Sequence, residues 1–266
     1  MIIFQTSYSL PGGDQPLTHS RIAHSLNWLS GGTISASSTA AGYFDTAPNN
    51  SLTYERWKPS ALAATWEYDH GSASNCDYCV IAAHNMGMNG NTLQIQYWNG
   101  SSWTGVIPST AITSDEPIMA IFGLQNRQRW RIQVSNGTAP EIGFIKFGRA
   151  LQMDRPMYAG HSPLSLARQT MLRANYSETG EFLGRTKQRV MLATEFAWQH
   201  LSRTFIYGAW RTFQRATESE PFVIAWRPDN YPDVGFCQLD AVPIPQTMGV
   251  RDLFTVSMQV RALAYD

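Results

Sequence analysis

Two cysteines three positions apart, Cys76 and Cys79, lie between His70 and His84 in the stretch TWEYDHGSASNCDYCVIAAHN, residues 65–85. Two Cys and two His are the ligand set of a structural zinc site, and a C-x-x-C pair alone can be a redox dithiol. The spacing favours neither. Structural zinc usually takes its ligands as close pairs on tight knuckles, whereas these histidines flank the cysteines singly. A redox pair usually sits at a helix N-terminus, which lowers the thiol pKa. YCVIAAH instead alternates, with Cys79, Ile81 and Ala83 on one side and Tyr78, Val80 and Ala82 on the other. The expectation is two strands joined by a glycine-and-serine turn, with both cysteines as small core hydrophobes and zinc or dithiol chemistry as lesser alternatives. The third cysteine, Cys237, makes an odd, sparse set unlike a disulfide framework.

Other chemistry finds no motif. No G-x-S-x-G elbow occurs, and HSPLS at His161 lacks a surrounding strand and helix. The acids Asp115, Glu116, Glu218 and Glu220 fall in turn-like or helix-end sequence and read as solvated. Neither a phosphate loop nor a dinucleotide fingerprint is present. The expectation is therefore no enzyme, no catalytic residue and no cofactor. Lys+Arg and Asp+Glu both count 20, so no net field attracts nucleic acid or anionic lipid. The start MIIFQTSYSLPGG has no basic region before its four apolar residues, and no apolar run reaches the roughly 20 residues of a membrane span. Synthesis in the cytoplasm, without a signal-directed export or membrane insertion, is expected.

The elements that would position any site are mostly strands. With 43% hydrophobic and 15% charged residues the chain is globular, and its 266 residues suit two domains. TLQIQYW turns Leu93, Ile95 and Tyr97 inward and Gln94, Gln96 and Trp98 outward, then Asn99-Gly100 returns the chain to Trp103 as a hairpin. QRWRIQV sets Trp130, Ile132 and Val134 inward and Arg129, Arg131 and Gln133 outward; IMAIFGL and IGFIKFG are further strands. MDRPMYAGHSP breaks the pattern and places a boundary near Asp154, giving domains at 1–153 and 154–266. Beyond it, KQRVMLATEFAW is a long strand. At about 202–218 the period becomes helical, with Phe205, Ile206, Ala209, Trp210, Phe213 and Ala216 on one stripe behind Ser202 as N-cap. FVIAW, VGFCQL and FTVSMQVRALA return to strand.

An ordered set of features in the first half resembles the galactose-binding-like, or discoidin-type, jelly roll: Trp57, Trp66, Asp69 with Gly71, the Val80–Ala83 strand, Asn99-Gly100 with Trp103, and Arg129 to Arg131. That resemblance implies a β-sandwich binding sugars or other surface ligands through loops at one end, with His84, Asn85, Trp98 and Trp103 as candidate contacts. Some members hold calcium near a loop aspartate; Asp45 is the matching residue, although the usual Asp-Gly-x-x-x-Thr pattern is not intact, and no metal is expected. The phrases RPMYAGHSPLSLARQT, FLGRTKQRV and FVIAWRPDNYPD resemble minor or distal tail-tip proteins of long-tailed bacteriophages. That resemblance implies a virion structural protein in the phage tail: a β-rich ring domain with one helix, in a homo-oligomer, hexameric by analogy, contacting tail tube, tape measure and hub, with a host surface glycan as a further partner. The alternative is a carbohydrate-binding or adhesion module that forms no ring.

Overall fold

The computed structural model describes residues 1–158, 160–249 and 251–265. The strands, in chain order, are β1 (Ile2–Phe4), β2 (Arg21–Ala23), β3 (Thr33–Ala36), β4 (Ala64–His84), β5 (Thr92–Trp98), β6 (Trp103–Ala111), β7 (Ile118–Ser135), β8 (Ile142–Gly148), β9 (Leu151–Gln152), β10 (Arg168–Tyr176), β11 (Phe182–Ser202), β12 (Phe222–Ala225), β13 (Val234–Leu239), β14 (Gln246–Thr247) and β15 (Leu253–Ala262). The molecule is mainly β, with two sheets and one packed helix.

The first sheet is built on two long antiparallel strands, β4 and β7, that fold over to make a sandwich from one continuous ladder. Their register breaks between Asp69 and Ser74 and again between Cys76 and Tyr78. On one side of the breaks they pair with β3 and β5, and β6 follows β5; on the other they pair with β8 and β1. The two layers meet in one core, where Trp66, Leu93, Ile95, Trp130 and Ile132 face Cys79, Ile81, Ala120, Phe122 and Phe147. Trp130 lies 5.4 Å from Phe122 and 5.6 Å from Phe147 between ring centroids, so a single indole spans the layers.

Here the expected glycine-and-serine turn is corrected. Gly71 adopts φ +81° and donates its N–H to Asp69 Oδ1 at 2.8 Å, the local geometry of a turn, yet the chain never leaves the strand. It bulges, and the bulge swings β4 from one layer to the other. The break between Cys76 and Tyr78 also puts both cysteines into the same core although they lie an odd three positions apart.

The opposite face of the second layer is not solvated. Tyr78, Val80, Ala82, Met119, Ile121 and Phe144 pack on Ala23, Val223, Ala225, Val234 and Phe236 of the second sheet. That sheet runs β10-β11-β15-β13-β12-β2-β9, with β14 on β15. Its membership corrects the boundary near Asp154. Arg21–Ala23 and Leu151–Gln152 lie within the first expected domain but pair into the second sheet, so the two units interleave and share an apolar interface. The short β2 segment is too brief to carry a visible period, which is why its pairing was not legible.

The helical run 203–217 begins as expected at Ser202, whose Oγ accepts from Phe205 N at 3.3 Å. It is π-helical at Ile206–Trp210 between α-helical turns. Ile206, Trp210, Phe213 and Ala216 are buried, whereas Ala209, expected on the same stripe, is exposed; the wider π turn rotates it outward. Trp210 and Phe213 pack against Trp198 and Phe222 at 6.2 and 5.2 Å.

Beyond the body, β10 and the first half of β11 form a two-stranded arm. All nine residues of β10 are exposed, and β11 is largely exposed from Phe182 to Arg189. The sequence pattern gave KQRV as the strand start; the strand actually extends back to Phe182, and β10 was not anticipated because its alternation has no buried side.

The interface makes a stability prediction. Phe144 is fully buried with ring contacts to Trp28 at 5.4 Å and Phe236 at 5.0 Å, one on each side of the junction. Phe144→Ala is expected to cost about 3–5 kcal/mol. Calorimetry should show one transition in the parent chain and its separation into two in the variant.

Candidate functional site at the loop end of the sandwich

The thiols come first, since their spacing raised the question of chemistry. Cys76, Cys79 and Cys237 are free and fully buried. Burial pushes the Cys76 and Cys79 thiols well up, so they remain protonated. His70 lies at the β4 bulge with its ring stacked 6.3 Å from Tyr68, and His84 ends the strand. Among the described residues no group of three or more His, Cys, Asp or Glu is placed to hold a metal. Asp45, the calcium candidate, contributes its carbonyl oxygen to Trp66 Nε1 at 2.7 Å.

His84 and Asn85 stand together at one end of the sandwich and Trp98 and Trp103 elsewhere. Trp98 ends β5, six residues from Thr92, and at the usual strand rise that is about 20 Å along the sheet. His84 is 5% exposed; Nε2 contacts Glu116 O at 3.0 Å, and Nδ1 accepts from Met86 N at 3.3 Å. Its ring is thus a post that fixes the chain leaving β4. Asn85 pairs with the opposite loop: its Oδ1 accepts from Glu141 N at 2.8 Å and from Asn89 Nδ2 at 3.1 Å, while its own N donates to Glu141 O at 3.3 Å.

What Asn85 positions is Glu141, a residue that sequence reading missed. The Glu141 carboxylate receives Tyr43 Oη at 2.7 Å, Lys58 Nζ at 3.2 Å and Arg56 NH1 at 3.2 Å. Those donors, the Tyr43 hydroxyl first, hold its pKa below the usual carboxylate value. Trp57 bridges Ile142 between Arg56 and Lys58 through paired backbone hydrogen bonds of 2.9 Å, which turns the two cations to one side of the chain. Lys58 also lies 5.5 Å over the Tyr43 ring. All three partners remain partly open to water, and their sequence neighbours Phe44 and Tyr54 are 68% and 75% exposed. The arrangement presents a carboxylate, two cations and a phenol, with exposed aromatic residues one and two positions along the chain from Tyr43 and Arg56. Only the alternation R-W-K around a buried tryptophan signalled it in sequence; the carboxylate arrives from a loop 83 residues after Lys58.

Trp98 and Trp103 occupy the outward face of the first layer, paired directly across the β5–β6 hairpin at 5.4 Å. Arg131 lies 4.2 Å from the Trp103 ring centroid, and Arg129 lies 5.3 Å from both indoles. Arg131 Nε donates to Gln96 Oε1 at 2.5 Å, and Glu67 takes both arginines at 3.2 and 3.6 Å. The inward and outward assignments of Leu93–Trp98 on β5 and Arg129–Val134 on β7 match the sequence alternation. These indoles are engaged by the chain's own guanidinium groups, which contribute about 0.5–1 kcal/mol per stack at such half-exposed positions.

No family model matches the chain, and no curated protein matches it. Among solved structures it is similar to the family 32 carbohydrate-binding module of C. perfringens NanJ in complex with galactose: 13% identity, 49% of this chain, 99% of that one, TM-score 0.41. It is also similar to chitosan-binding module 1 of a chitosanase/glucanase from Paenibacillus sp. IK-5, at 16% identity over 47% and 99% of the two chains, TM-score 0.39. A GH29 fucosidase of Ruminococcus gnavus in complex with fucose gives 18% identity over 46% of this chain, TM-score 0.40; the chain spans about a quarter, 26%, of that hydrolase. Likeness at this level fixes neither fold nor function, and the fold rests on the strand order given above.

Burial of the histidines predicts a pH dependence. Desolvation lowers His84 and His24 to about 4, below the ordinary 6.5. The unfolded chain then binds more protons between those values, so stability is full above pH 6.5 and falls as pH drops towards 4. Asp77, pushed up to about 6 by burial, acts with the opposite sign over about pH 4–6. His84→Gln should therefore flatten the acid-side loss by about 2–3 kcal/mol relative to the parent chain, measured by urea unfolding at pH 7 and pH 4.5.

Proposed function

We propose that the protein is a non-catalytic carbohydrate-binding subunit that takes a glycan at the Tyr43–Arg56–Lys58–Glu141 end of its sandwich. The observation that carries this reading is Glu141 itself: a carboxylate held by three partly open side chains, in a loop that also exposes Phe44 and Tyr54. Sugar hydroxyls are recognised by such fixed donor and acceptor sets, and sugar C–H faces by exposed rings. The similar modules named above, one solved with galactose and one named for chitosan, accord with this class of ligand. Asn85 and His84 act as positioning residues. Trp98 and Trp103 are the rival contact surface on a different face.

The test is a glycan array followed by calorimetric titration. Losing one charged hydrogen-bond partner costs about 1.5–3 kcal/mol, so Glu141→Gln or Arg56→Ala should weaken the best ligand roughly ten- to hundredfold. Trp103→Ala should leave affinity within about twofold while lowering stability. Loss of binding in Trp103→Ala with Glu141→Gln unaffected would move the site to the tryptophan face; a folded chain that binds no glycan would end the reading.

A second reading is favoured by a different observation, the exposed arm of β10 and β11. An isolated two-stranded hairpin is at best marginally stable in water, so an arm exposed on both faces suits a chain that assembles. In this reading the second sheet belongs to a ring subunit of a phage tail tip and the sandwich is its outward, host-facing module, the whole residing in the virion. Electron microscopy of the purified protein should then show closed rings.

A further inference from the structure

The arm's outer edge specifies its own partner. β10 is the terminal strand of the second sheet: it pairs with β11 and with no other strand among the described residues. Its nine residues, RQTMLRANY, contain no proline and no bulge of their own, and Met171, Leu172 and Tyr176 are each more than half exposed. A long, regular, open edge carrying apolar side chains is a template for strand addition.

The complementary edge must be long and open too. At the far side of the same sheet β9 is two residues long, and Gln15 N donates to Gln152 Oε1 at 2.7 Å beside it. The outer edge of the arm half of β11 is open, since its pairing with β15 begins only at Leu192. That edge is irregular: both register shifts in the β10–β11 ladder place their extra residue on β11, at Gln188 and Leu183, so it offers no straight template to a nine-residue strand. Pairing β10 with β10 of a second copy joins two edges that carry no such bulge. In the antiparallel register that overlaps all nine residues, Leu172 meets Leu172 on a twofold axis. Arg168 then meets Tyr176, Gln169 meets Asn175, Thr170 meets Ala174 and Met171 meets Arg173. No cation faces a cation, and each arginine meets an aromatic ring or a thioether.

We infer that β10 joins β10 of a second copy of this chain across a twofold axis at Leu172, making a sheet continuous through both molecules. The inference is independent of glycan binding. It refines the assembly reading by giving that assembly an isologous contact, which closes after two copies and does not by itself generate a ring.

The experiment uses the full chain with single cysteine substitutions, since the three native thiols are buried. Directly opposed residues in an antiparallel pair bring Cα atoms about 4.5–5.5 Å apart, within disulfide reach. Under mild oxidation Leu172→Cys should cross-link to itself. Thr170→Cys should not, but should cross-link when mixed with Ala174→Cys. Light scattering should give twice 29.8 kDa for the parent chain. Leu172→Pro, at an exposed arm position, should give the monomer mass with unchanged glycan binding and an unchanged melting temperature. A parent chain that is monomeric at tens of micromolar overturns both this contact and the assembly reading. A closed ring of higher order in which Leu172→Cys stays unlinked overturns the twofold contact and leaves the ring reading standing.

Discussion

Burial of one strand segment on both faces is the constraint on which the rest of the structure depends. From Cys76 to His84 every residue of β4 is buried, with Cys76, Cys79 and Ile81 in the sandwich core and Tyr78, Val80 and Ala82 against the second sheet. A strand covered on both sides must satisfy its polar groups internally, because an unpaired buried polar group costs more than a hydrogen bond returns. Tyr78 Oη donates to Asn27 Oδ1 at 2.7 Å. Asp77 receives Ala150 N and Arg149 NH1, each at 2.8 Å. Both partnerships reach segments that flank the second sheet, so the groups that satisfy the strand also fasten the two units together.

That fastening decides what can move. The sandwich core, the interlayer indole of Trp130 and the interface around Phe144 form a continuous packed body, and packed interiors resist gradual deformation. The Glu141 cluster stands at the end of this body, on loops whose backbone is tied at Asn85 and at Trp57. Preorganised loops on a rigid frame bind with less ordering cost than free ones. The frame extends to the helical side: Ser51, in the loop that also carries Tyr43 and Arg56, hydrogen-bonds Glu220 just past the helix. Lys146, buried beneath the same loop, reaches Asn49 Oδ1 at 2.7 Å and is lowered to about 8 by desolvation.

The sequence was most legible where burial is one-sided. On β5 and on the Arg129–Val134 part of β7 alternation separated inward from outward residues, and the helix announced itself through Ser202 and its apolar stripe. Where both faces are covered the alternation vanishes, so the interface role of Tyr78 and Val80 was not readable from YCVIAAH. Where neither face is covered the same silence results, and β10 passed unnoticed. Gly71 misled for a different reason: a positive φ and an Asx hydrogen bond serve a bulge as well as a turn, and only the long pairing with β7 distinguishes them. The candidate site lies between these cases. His84, Asn85, Trp98 and Trp103 were picked out as one set, but the fold assigns the first two to positioning at one end and the last two to an arginine stack on another face. Glu141 required the loop closure that only tertiary structure supplies.

Net charge conceals the most instructive asymmetry. The chain carries 20 cations and 20 anions, yet residues 168–189 hold five cations and two glutamates. Charge along an exposed strand edge usually protects against indiscriminate pairing, because most registers bring like charges together. The placement here is selective rather than prohibitive. Arg168 and Arg173 are five residues apart, an odd interval that puts them on opposite faces of β10 and makes the fully overlapped antiparallel self-pairing free of direct cation contacts. Shifting that pairing so that residues 168 and 173 oppose one another restores the repulsion. The same arginines that keep the arm soluble therefore disfavour the registers that oppose 168 with 173 or 173 with 173, and leave the fully overlapped register free of directly opposed cations.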